Sequence, residues 1–120
     1  MTWQLSFDAY GPSPRDRRAW QNIIALYAQR ELLEADLEAS PGPVAIKAQF
    51  FLAPPKGLKK ATSRPHIKEP DPWTLASSVR DGLKGITYRS SAVVTDLTVI
   101  KRYTDLPGHS HVRIELWEAV

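Results

Sequence analysis

Four stretches of this chain carry apolar residues at alternate positions. Between them lie two stretches whose apolar residues recur every three or four positions. Trp3, Leu5, Phe7 and Ala9 alternate with Gln4, Ser6 and Asp8, and Val44, Ile46, Ala48, Phe50 and Leu52 repeat the pattern. Val93 to Tyr103 carries it on odd positions (Val93, Thr95, Leu97, Val99), and 111–117 on even ones (Val112, Ile114, Leu116). A period of two puts all apolar side chains of a strand on one face, so four half-buried strands are expected. The connection Thr104–Ser110, containing Pro107-Gly108, suits a hairpin joining the last two strands.

The helical stretches have clear punctuation. From about Pro14 to Ala39 the chain is rich in Ala, Leu, Glu, Gln and Arg, good helix formers. Trp20, Ile23, Ile24 and Tyr27 make its apolar stripe, continued by Leu33 and Leu37, and Ser40-Pro41-Gly42-Pro43 ends it. The second helix starts at Asp71-Pro72, an N-cap followed by proline at the first helical position. Leu75, Val79, Leu83 and Ile86 form its core-facing stripe, and Gly85 sits where a C-terminal glycine belongs. The expected order is strand, helix, strand, long basic loop, helix, strand, strand. That is an α+β fold, with two main helices packed on a small mixed sheet.

A chain of 120 residues fits one domain, residues 1–120. Without cysteine it has no thiol nucleophile, disulfide or cysteine-held zinc. The start Met1-Thr2-Trp3-Gln4-Leu5 lacks the basic and apolar segments of a secretory signal, and no apolar run approaches a membrane span. A soluble intracellular protein, without a membrane partner, is expected. The net charge is +3 and unevenly spread: Arg15, Arg17 and Arg18 cluster, as do Lys56, Lys59, Lys60, Arg64 and Lys68, with no acid within 56–68. Glu31, Glu34, Asp36 and Glu38 form an acidic stretch. Such asymmetry suits a nucleic-acid-facing side, and equally a lysine-solubilised loop.

The run from Lys68-Glu69-Pro70-Asp71-Pro72-Trp73-Thr74-Leu75 through Ser77, Asp81, Gly82-Leu83, Gly85-Ile86 and Tyr88 to Ser90-Ser91 resembles the signature of the RusA family of Holliday-junction resolvases. The match continues without a gap through Ala92 to Tyr103 and covers about the last two-thirds of the chain. Gly11-Pro12-Ser13-Pro14-Arg15-Asp16-Arg17-Arg18 loosely resembles the family's N-terminal loop. The resemblance implies Mg²⁺-dependent cutting of branched DNA by a homodimer. In the family two aspartates, one residue apart, and an asparagine open the second helix. A lysine follows on that helix, and paired acids precede the next strand. The aspartates hold metal and the lysine stabilises transition-state charge.

Carried over position by position, the first aspartate is Asp71 and the second falls on Trp73. The asparagine falls on Thr74, the lysine on Ser77, and the paired acids on Ser90 and Ser91. Magnesium takes hard oxygen ligands, and a two-metal site needs several carboxylates. No catalytic residue and no metal ligand is therefore assigned, and no cofactor is expected. Pairing Glu69 with Asp71 restores two spaced acids but still lacks the lysine and the third acid. His66, His109 and His111 do not have zinc-site spacing.

Three functions compete on this reading. The first is a family member without cutting activity that keeps DNA binding through the two basic clusters. The second is a fold repurposed for a small molecule or a protein partner in the former cleft. There Trp73 is expected to lie buried beside the Ser90-Ser91 turn. The third is an active nuclease using Glu69, Asp71 and Asp96.

Overall fold

The computed structural model describes residues 3–11, 17–53, 70–104 and 110–119. Its elements are β1 (Gln4–Gly11), α1 (Arg17–Ala35), β2 (Val44–Leu52), α2 (Pro72–Leu83), β3 (Val94–Tyr103) and β4 (Ser110–Glu118), with one 3₁₀ turn at Ser91–Val93. The expected α+β order holds. Among the described residues, no helix is long and apolar enough to cross a membrane.

The four strands form one sheet in the order β1-β4-β2-β3. β4 runs antiparallel to both β1 and β2, whereas β2 and β3 are parallel. The expected hairpin between the last two strands is therefore not formed, because β2 lies between them. Parallel strands need a crossover connection, and α2 supplies it between β2 and β3. β3 consequently ends beside the end of β2, with Tyr103 opposite Leu52. The chain then passes to β2's other side. Thr104 N–H donates to the Leu52 carbonyl at 2.8 Å, and Ala53 N–H donates to Ser110 Oγ at 3.0 Å.

Register aligns the buried positions across the sheet. Leu5 pairs with Leu116, Phe7 with Ile114 and Ala9 with Val112; Ile46, Ala48 and Phe50 continue those rows on β2. Both helices bury their stripes in the same core. On α1 the buried residues are Trp20, Ile24, Ala28 and Leu32, a strict four-residue stride. Leu33, expected in the stripe, is 82% exposed instead. Trp20 meets Phe50 edge-on, with centroids 5.1 Å apart. Among the described residues, no helix packs on the opposite sheet face. His111 stacks there between Tyr10 and Phe51, so it is a sheet-surface residue. Partial burial lowers its pKa against the opposing pull of Asp8.

α1 ends four residues before the expected boundary at Ala39. Asp36 takes a left-handed φ of 53°, its N–H reaches Leu33 O at 3.2 Å, and Leu37 N–H reaches Leu32 O at 3.0 Å. This pair of bonds is the Schellman arrangement, built on an aspartate where glycine is usual. The termination is local and does not depend on Ser40-Pro41-Gly42-Pro43. Residues 14–16, where the helix start was expected, lie outside the described residues.

Candidate functional site

Asp71 begins α2 as the sequence predicts. Its backbone is extended, Pro72 takes the first helical position, and its carboxylate accepts the Thr74 N–H at 2.8 Å. That bond is the main reason its pKa lies below the usual aspartate value; the Thr74 side chain, the Trp73 backbone and the charge of Lys101 add to it. Lys101, on β3, reaches the same corner, and its Nζ donates to the Pro70 carbonyl at 2.9 Å. The sequence reading missed Lys101. The one signal for it was its apolar-side register on β3, opposite Phe50. At the other end of α2, Lys84 caps the helix and Gly85 follows with φ of 81°, as expected.

The Trp73 ring, expected to be buried, is 81% exposed. Thr74 and Ser77 are half-buried on the turns that follow. An indole at the second helical position projects away from the core because the buried face of α2 begins at Leu75. The apolar cleft floored by Trp73 is therefore absent.

Ser90 and Ser91 lie elsewhere. Ser90 Oγ accepts the Ala92 N–H at 3.2 Å and so caps the 3₁₀ turn that feeds β3. The strand then runs from Val94 to Lys101 before reaching the Asp71 corner, a span of about 23 Å at 3.3 Å per residue. Tyr88, two residues before Ser90, donates its hydroxyl to the Arg80 carbonyl near the C-terminal end of α2. Within one chain the structure thus groups Asp71, Trp73, Thr74 and Ser77 on α2's first turns. It does not bring Ser90 and Ser91 to them.

The donor set does not fit a magnesium pair. Of the six positions only Asp71 carries a carboxylate, and it is engaged in capping. Among the described residues no group of three His, Asp or Glu side chains could hold a metal ion. Asp96 is exposed on β3, paired with Ala45 at the end of the strand remote from Lys101. Asp81 is held by Arg17 at 2.7 Å and Arg80 at 3.0 Å, and its pKa is lowered chiefly by the Arg80 hydrogen bond. An open cleft of about 620 Å³, lined by Gln4, Glu31, Leu37, Arg113 and Trp117 among others, contains none of the six positions.

Of the expected phosphate contacts, Arg17 is tied to Asp81 and Arg18 is exposed near the start of α1. Arg15, Lys56, Lys59, Lys60, Arg64 and Lys68 lie outside the described residues, as do Glu69, His66 and His109. Sequence reasoning also missed Arg80 and Lys84, whose spacing from Trp73 places them on one helix face.

No curated protein matches the chain. The family model for Endodeoxyribonuclease RusA matches residues 9–115, further toward both ends than the signature itself, and the chain belongs to that family.

Proposed function

We propose that this chain is a DNA-binding member of the RusA family that has lost phosphodiester cleavage. RusA-family nucleases act on DNA, typically as dimers, and the reading keeps both properties. The observation that carries it is the chemistry at the start of α2. One capping carboxylate stands beside an exposed tryptophan where the family pattern places a second carboxylate. A two-metal mechanism needs ligands for ions on both the attacking and the leaving oxygen, and Asp71 alone does not supply them. Phosphate binding has no such requirement. It needs cations, and the two basic clusters of the sequence supply them. The small-molecule reading loses its main support with the exposure of Trp73.

The test uses the whole purified protein with synthetic four-way junctions in Mg²⁺ or Mn²⁺. Binding that weakens steeply with salt, without cleavage, is the expected result. Cleavage abolished by Asp71→Asn would overturn the loss of chemistry. Absence of binding at low salt would overturn the DNA reading.

A further inference from the structure

The outward face of α2 combines groups that burial does not explain. Trp73, Ser77, Arg80 and Lys84 recur at helical spacing and share one side of the helix, away from buried Leu75, Val79 and Leu83. Trp73 is 81% exposed, and Arg80 and Lys84 are exposed as well. Arg17 of α1 reaches across to the same face, where one carboxylate, Asp81, binds both it and Arg80. Two guanidinium groups share one counter-charge, with Lys84 a turn further on. The open sheet face is balanced by contrast, since Arg113 is paired with Asp8 at 3.2 Å and Glu115 at 3.4 Å.

An indole in water exposes a large apolar π surface, and the cations beside it attract polyanions. Those two properties together are what a single-stranded nucleic acid selects: phosphates meet the cations, and an unstacked base covers the ring. Duplex DNA offers the phosphates but keeps its base faces stacked. A protein partner would need apolar surface around the indole, yet the described neighbours along this face of α2 are Ser77, Arg80 and Lys84.

Resting on the DNA-binding reading above, we infer that this face of α2 binds single-stranded DNA, with Trp73 stacking on an unpaired base and Arg80, Lys84 and Arg17 contacting the backbone. The chain accordingly prefers single strands, or duplexes with an unpaired stretch, over continuous duplex. The contact needs no metal and no Ser90-Ser91 turn.

Fluorescence anisotropy with a labelled oligothymidylate and a labelled blunt-ended duplex of two strands tests this, using the full chain, Trp73→Ala and Trp73→Phe, each checked for an unchanged thermal melt. Trp73→Ala is expected to weaken single-strand binding about tenfold or more, since one stacked base is lost. Binding of the blunt duplex should change less than twofold, and Trp73→Phe should retain most of the single-strand affinity. Trp73→Ala binding the single strand as wild type does, or losing both forms equally, would overturn the inference and leave salt-dependent DNA binding standing. Wild-type protein that binds neither form at low salt would remove both readings.

Discussion

Gly82 of α2 stands so close to α1 that a β carbon placed on it would lie 2.8 Å from the Gln21 carbonyl oxygen. The same β carbon would lie 3.2 Å from two carbons of Ile24, which is fully buried. The obstruction is backbone rather than the free end of a side chain, so the two helices can relieve it only by moving apart.

Gly82→Ala should therefore destabilise the fold by about 1–3 kcal/mol, the usual cost of overpacking, although alanine is the better helix former. Urea denaturation measures it. A variant as stable as wild type would show that the helix crossing is looser than described.

Asp36→Gly should act in the opposite direction. A left-handed φ of 53° brings a β carbon against the backbone, and glycine has none. The gain is expected to be up to about 1 kcal/mol, partly offset by glycine's freedom in the unfolded chain. A rise in melting temperature checks it, and Asp36→Val should lower the same temperature.

Two tryptophans separate burial from exposure. Trp20 is fully buried against Phe50, and Trp20→Ala is expected to cost about 3–5 kcal/mol. Trp73→Ala should stay within about 0.5 kcal/mol of wild type, as surface changes do. Equal losses in chemical denaturation would mean that Trp73 is covered in solution.

Acid should unfold the protein partly through Asp71 and Asp81. Both folded pKa values lie below the ordinary 3.8. The unfolded chain thus binds protons first as pH falls. The stability these groups contribute is present above about pH 4 and is lost as pH drops through the lower folded values. Asp71→Asn and Asp81→Asn should each flatten the fall of melting temperature as pH drops below about 4. Unchanged slopes in both would contradict the two hydrogen-bonded carboxylates.

The strands and the start of α2 were legible because burial of one face leaves its period in the sequence, and Asp71-Pro72 states its own geometry. Strand neighbours were not, since alternation in β3 and β4 reports which face is buried and says nothing of β2 lying between them. Leu33 misled because two adjacent leucines both fit a short stripe. The small Ala28, which carries the four-residue stride from Trp20 to Leu32, looked uninformative. At the candidate site, the family signature suggested closeness in space for Asp71 and Ser90-Ser91. α2 carries the chain away, and the length of β3 keeps the two apart. The exposure of Trp73 follows the period of α2, on the side opposite Leu75, Val79 and Leu83, but burial was expected of it as a large apolar ring at a former ligand position.

The place of β4 sets the order in which the sheet can be completed. Gln4 pairs with Trp117 and Gly11 with Ser110, and β4 is the strand that joins β1 to β2. During synthesis β1 must therefore wait for β4, with both of its backbone edges lacking sheet partners until then. A ribosome-bound chain stopped before Ser110 can close β2, α2 and β3 into a parallel unit, while β1 has nothing in the sheet to bond to. Pairing of β4, rather than formation of either helix, is the event that joins β1 to the rest of the sheet.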